Sequence, residues 1–172
     1  MKHFLFSALF CCFVFIGFSQ NTSSIDFVIS NLGINVDGHF NSFSVVTKFN
    51  EANLELESIS GSITVSSIET GIDSRDEHLL DADYFNAETY KLITIKSESI
   101  TKVSDSQYKV KVSLKIKGIT KQITINVDVV KVNSSYKVSS TFEIDRKDFK
   151  VGGSSFVMSK TVNINVIHYQ KL

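Results

Sequence analysis

The sequence predicts an all-β chain: an eight-stranded antiparallel barrel with one short helical insert. Three observations carry that expectation. From Tyr108 to Ile116 the even positions are Tyr108, Val110, Val112, Leu114 and Ile116, whereas the odd positions are Lys109, Lys111, Ser113 and Lys115. Successive side chains of a strand point to opposite faces, so this segment has one apolar face and one wet face. Segments of this kind recur along the chain, separated by turn-forming residues such as Asn50-Glu51-Ala52-Asn53, Ser104-Asp105-Ser106 and Lys117-Gly118. One stretch, residues 74–82, loses the two-residue period and carries helix-start chemistry instead.

The elements follow in order. Residues 1–19 read as a secretory leader: Lys2, an apolar run from Phe4 to Phe18, then small residues around Ser19 where a signal peptidase cuts. The run is too short and too poorly flanked for a transmembrane helix. A lipid anchor at Cys11 or Cys12 is the weaker alternative, because bulky Leu9 and Phe10 precede them. Both cysteines lie in this leader. The exported chain, residues 20–172, is therefore expected to be one domain without disulfides, periplasmic or secreted. A domain of about 150 residues buries roughly two-thirds of its unfolded surface, enough for a core to hold it.

The first strand is expected over residues 25–30, with a helical turn at 31–34. The second spans 38–49, with Phe43, Val45, Thr47 and Phe49 on one face. The third spans 54–67, with Ile59, Gly61, Ile63 and Val65 in phase; Gly61 in mid-strand suggests a bulge or sharp bend. The insert follows. Ser74 and Glu77 form a capping box, Asp73 and Asp76 add negative charge to the helix start, and Leu79, Leu80 and Ala82 give an apolar stripe. Phe85 then plugs into the barrel or its mouth. Five more strands cover residues 92–100, 107–117, 119–132, 136–145 and 161–169. Their inward positions include Ile93, Ile95, Ile123, Ile125, Val127, Val138, Val162, Ile164 and Val166.

Eight antiparallel strands closed on themselves leave no free edge, and enclose either packed side chains or room for one ligand. The inward residues are mostly β-branched and the phenylalanines gather near strand ends. That distribution suits a slender apolar tunnel as well as a filled core. An outer-membrane barrel shows the same alternation with its apolar face outward. It would then crowd Lys109, Lys111, Lys115 and Lys117 into a narrow lumen.

Catalytic chemistry is thin. His39, His78 and His168 are not spaced as metal ligands, and no nucleophile elbow, phosphate loop or H-E-x-x-H occurs. No enzyme activity and no cofactor are expected. Loss of Lys2 leaves 17 basic against 18 acidic residues, so nothing in the charge points to nucleic acid. The cluster Asp73, Arg75, Asp76, His78 has two readings. Arg75 and His78 would hold a polar head group at the barrel mouth. Alternatively, the helix is merely capped, with Arg75 paired to a neighbouring carboxylate. Arg146 and Asp148 are expected as a strand-end pair or a pocket rim.

Five motifs occur together: F-V-I-S-N-L-G-I-N-V-D-G-H-F from Phe27, R-D-E-H-L from Arg75 with Asp83 and Phe85 after it, I-T-I-K-S from Ile93, L-K-I-K-G-I-T-K from Leu114, and R-K-D-F-K-V-G from Arg146. In this order they resemble the YceI-like family of bacterial polyisoprenoid-binding proteins. The likeness covers essentially the whole chain after the leader. Tyr90-Lys91 stands where the family usually has Tyr-Pro, and the chain contains no proline. The resemblance implies a lipocalin-like barrel that carries or stores an amphiphilic long-chain lipid, a polyisoprenoid or quinone-like molecule, in an apolar tunnel. The implied wall is Phe43, Val45, Ile63, Val65, Leu79, Phe85, Ile93, Ile95, Val110, Val112, Leu114, Ile123, Ile125, Val138, Phe142, Val162 and Ile164. It further implies exchange through transient membrane contact, by a monomer or homodimer. The alternative is a packed-core envelope or stress-related interaction protein with no internal ligand.

Energetics limits the tunnel reading. Moving some forty carbons out of water would gain on the order of 30 kcal/mol, beyond any non-covalent affinity. The real competitor is a bilayer, which is already apolar. Transfer is then nearly balanced, and close wall contacts must offset the ordering of the tail.

Overall fold

A computed structural model describes residues 22–171. The leader expected over residues 1–19 lies outside the described residues. Ten strands form: β1 Ser24–Asn31, β2 Ile34–Phe40, β3 Phe43–Phe49, β4 Leu56–Thr64, β5 Ile68–Glu69, β6 Leu92–Lys102, β7 Gln107–Ile116, β8 Ile119–Val132, β9 Ser135–Asp145 and β10 Met158–Lys171. One α-helix, α1, covers Asp73–Leu80, and 3-10 turns cover Val65–Ser67 and Arg146–Phe149.

All ten strands join one antiparallel sheet in the order β3-β4-β6-β7-β8-β9-β10-β1-β2-β5. The count exceeds eight because two expected strands are each broken by a corner. Residues 38–49 fold as the end of β2 and all of β3, and residues 54–67 as β4 running through a 3-10 turn into β5. Across the corner, Asn41 N donates to Ser67 O at 3.0 Å and Thr64 N to Ser42 O at 2.9 Å. The two ends of the sheet order are thus pieces of adjoining staves, and the sheet curls back on itself as the barrel reading requires.

Three local expectations are corrected. Residues 31–34 make a tight hairpin and no helical turn. Leu32 and Gly33 have φ of 54° and 76°, the paired left-handed values of a type I′ turn, whose twist suits β1 and β2. Gly61 carries no bulge; it pairs regularly with Val45 and Ile95. It lets two neighbours approach closely instead, since a Cβ there would sit 3.2 Å from Ser44 O and 3.3 Å from Ile95 Cγ2. Finally, Ser74 caps nothing. The N-cap is Ile72, without a side-chain hydrogen bond, and Ser74 already lies in the first turn of α1.

The alternation in β7 resolves in favour of an inward apolar face: Tyr108, Val110, Val112, Leu114 and Ile116 are buried while Lys109, Lys111 and Lys115 are exposed. Two clusters fill the interior. One gathers Leu56, Ile59, Tyr108, Val110, Val112, Ile125, Val127, Val129, Tyr136 and Val138, with Phe49 stacked on Tyr136 at 4.6 Å between ring centroids. The other gathers Ile25, Phe40, Val65, Ile68, Ile93, Leu114, Ile116, Phe149 and Val151, beneath α1 and the segment after it.

Candidate functional site

Between the two clusters lies an apolar cavity of about 240 Å³. Its wall along β10 is Met158, Val162, Ile164, Val166 and His168. Those ten residue steps span roughly 34 Å of strand, so the space is long and slender. β1 adds Ile25, Phe27 and Ile29, β9 adds Val138, Phe142 and Ile144, and Leu79, Tyr84 and Phe85 come from α1 and its following turns. The interior is thus filled over part of its volume by the Tyr108–Tyr136 cluster and hollow over the rest.

Of the wall expected from sequence, Val45, Ile63, Leu79, Phe85, Ile93, Ile95, Leu114, Ile125, Val138, Phe142, Val162 and Ile164 line the cavity. Phe43, Val65, Val110, Val112 and Ile123 do not. Val110 and Val112 are wholly buried inside the first cluster, and Val65 inside the second. Phe43 and Ile123 pack against cluster edges. Alternation assigns a side chain to the inner face but not to packed or hollow interior.

The polar groups at the cavity divide by whether their hydrogen bonds are spent. Arg75 lines the cavity and clasps Thr70: Nε donates to Oγ1 at 2.7 Å and Nη2 to the carbonyl at 2.6 Å. The Asp76 carboxylate accepts from the same threonine's backbone N, at 3.0 Å, and from its hydroxyl. This clasp does the anchoring that the expected capping box does not, and among the described residues Arg75 has no carboxylate partner. His78 points away; it is exposed, 3.3 Å from Asp81, with its ring edge-on to Tyr84. It therefore stands outside the cavity, against the head-group reading.

Arg146 also lines the cavity and is buried, yet its expected partner Asp148 pairs with Lys121 at 3.5 Å. Arg146 instead donates to the carbonyls of Ser159 at 2.8 Å, Val151 at 2.9 Å, Gly153 at 3.0 Å and Met158 at 3.4 Å. One guanidinium thereby gathers the loop between the 3-10 turn and β10 around the cavity rim.

His168 was not expected at the site, although it shares the phase of Val162, Ile164 and Val166. Its Nδ1 lies 3.4 Å from Ser23 Oγ, while its Nε2 is buried without a hydrogen-bond partner. Burial holds its imidazole below the ordinary histidine range, partly opposed by a hydrogen-bonding interaction with the Gln170 side chain. Among the described residues no group of three His, Cys, Asp or Glu side chains could hold a metal ion.

Comparison with known proteins places this geometry. A UPF0312 protein of Vibrio cholerae is 28% identical over 145 residues, 78% of this chain and 77% of that protein. The crystal structure of BcnA from Burkholderia cenocepacia matches with a TM-score of 0.81 at 25% identity, covering 87% of this chain and 96% of that one. A domain from Saccharophagus degradans, described as polyisoprenoid binding and implicated in plant cell wall breakdown, shares the fold with a TM-score of 0.70 at 20% identity, over 87% of this chain and 94% of that one. The family model of the YceI-like domain matches residues 18–167, the whole of the curled sheet but for its last four described residues. The sequence motifs, the barrel and the family model converge: the chain belongs to the YceI-like domain family.

Proposed function

We propose that the protein binds a long-chain amphiphilic lipid of the polyisoprenoid class in the cavity and carries or stores it outside the cytoplasm. One observation carries the reading: a single apolar space runs the length of β10 from Met158 to His168. A space this narrow suits a flexible unbranched or methyl-branched chain better than a compact ring system. At about 240 Å³ it sits slightly below the roughly 300–1,000 Å³ of drug-sized pockets, so a full-length chain has to displace side chains at the rim. The description of the Saccharophagus degradans domain as polyisoprenoid binding supports the ligand class. Residues 1–19 support export.

Exchange with a bilayer has a surface to use. Leu32, Ile34, Phe156 and Val157 are exposed apolar residues at the β1–β2 turn and the facing loop, joined by Leu32 N donating to Val157 O at 2.8 Å. Leu32 holds its left-handed backbone while presenting a branched apolar side chain to solvent, a combination that folding alone disfavours. The patch adjoins Asn31 and Met158 on the cavity wall.

The double variant Val162→Phe/Ile164→Phe tests the reading by filling the space from β10. Protein stripped of lipid and incubated with vesicles containing a polyprenol should load in the natural form. The variant should fold and fail to load. Equal loading by both would exclude this cavity as the binding site.

A further inference from the structure

Several polar side chains at the cavity wall have hydrogen bonds directed away from it. Arg75 spends Nε and Nη2 on Thr70, and Arg146 is occupied by four carbonyls. Asp26 accepts from Ser24 Oγ at 2.8 Å, and Ser140 Oγ donates to Asn126 O at 2.7 Å. His168 Nε2 alone is buried and unpartnered among the described residues. A buried polar atom without a partner costs on the order of 1–3 kcal/mol and calls for an explanation.

Its hydrogen-bonding sense follows from the other ring nitrogen. Ser23 Oγ accepts from Tyr169 N at 3.0 Å and keeps its hydroxyl proton to donate to His168 Nδ1, 3.4 Å away, in one of the two imidazole tautomers. With Nδ1 an acceptor, a neutral imidazole carries its proton on Nε2. Burial favours that neutral form. In that tautomer the cavity presents a buried N–H donor at the opposite end of its β10 lining from Met158 and the Arg146 loop.

We infer that His168 is the polar subsite of the cavity and receives a neutral oxygen acceptor of the bound lipid, a carbonyl or hydroxyl, by a hydrogen bond from Nε2. This rests on the lipid-binding reading and deepens it. At the His168 end of the cavity it favours a neutral oxygen over a phosphate, because a neutral donor offers an anion no counter-charge. It also orients the ligand: the oxygen lies deep, and the chain extends along β10 toward α1 and the Arg146 loop.

The test uses three probes of one chain length: farnesylacetone, the hydrocarbon in which its carbonyl is replaced by methylene, and farnesyl monophosphate. Affinities are measured by competition against a fluorescent fatty probe, for the natural protein, His168→Phe and His168→Gln. A neutral hydrogen bond contributes roughly a two- to tenfold preference. The ketone-to-hydrocarbon affinity ratio should fall by that factor in His168→Phe and largely return in His168→Gln, whose amide can donate. The carbonyl stretch of bound farnesylacetone should lie below its value in hexane in the natural protein, a readout that needs no variant to fold. An unshifted stretch, an unchanged ratio in His168→Phe, or a preference for the monophosphate would overturn the inference while leaving lipid binding intact. If the natural protein takes up none of the three, the lipid-binding reading falls with it.

Discussion

Arg146 shows how one residue positions a site. Its carbonyl ligands come from Val151, Gly153, Met158 and Ser159, so it holds the rim loop without a carboxylate. Arg146→Ala strands those carbonyls and opens a hole beside Gly152. It should cost about 2–4 kcal/mol in urea unfolding, the range for breaking a buried hydrogen-bond network. A loss under 1 kcal/mol would mean that water replaces the guanidinium without penalty. The motif around Arg146 is plain in the sequence, but its partners are not: backbone carbonyls leave no trace in residue identity, and Asp148 was the natural guess two positions away.

His168 makes stability depend on pH. Burial lowers its folded-state pKa below the ordinary histidine value of about 6.5. As pH falls through that range the unfolded chain takes up a proton that the folded chain resists, so stability is full above about pH 6.5 and declines as the solution is acidified. The natural protein should lose more stability than His168→Phe between pH 7.5 and 5.5, read as the difference in urea midpoints. Parallel curves would show that the imidazole stays solvated. The histidine's inward phase was legible, since it continues the even-numbered face of β10; its lack of a partner depends on Ser23, nearly 150 residues away in sequence, and was not.

Among the elements, β1 and β2 illustrate how a glycine shapes the wall. Phe27 pairs across from Gly38, and a Cβ at position 38 would lie 2.3 Å from the Phe27 ring. The ring lies over the glycine, tilts against Phe40 at 5.6 Å between centroids and forms part of the cavity wall. Gly38→Ala should push the ring off this seat, costing about 1–3 kcal/mol through overpacking. Polyprenol uptake should fall in parallel. Unchanged stability and uptake would place the ring's freedom elsewhere. Strand positions were the most legible feature, because apolar alternation is set locally. The corners at residues 41–42 and 65–67 were not, since they arise from the barrel's curvature and not from a breaker residue. The start of α1 was misread for a related reason: Ser74 and Glu77 have capping spacing, but Thr70 captures Asp76 and Arg75 first.

At the scale of the whole molecule, a filled region and a hollow region share one barrel. The Tyr108–Tyr136 cluster packs one part of the interior and leaves the space along β10 open. In the proposed function the exposed patch at Leu32 and Phe156 serves exchange and not affinity. Leu32→Ser/Phe156→Ser should slow transfer of a polyprenol from vesicles severalfold while leaving final loading unchanged. A changed endpoint with an unchanged rate would remove the patch from the exchange step. Sequence alternation could not separate hollow from filled, because that depends on which inner residues meet across the lumen.

Native mass spectrometry of gently purified protein bears most directly on the account. An adduct of several hundred daltons, lost on organic extraction and regained from polyprenol vesicles, is the expected result. A clean apo mass that stays clean after incubation with those vesicles would contradict a lipid-binding cavity.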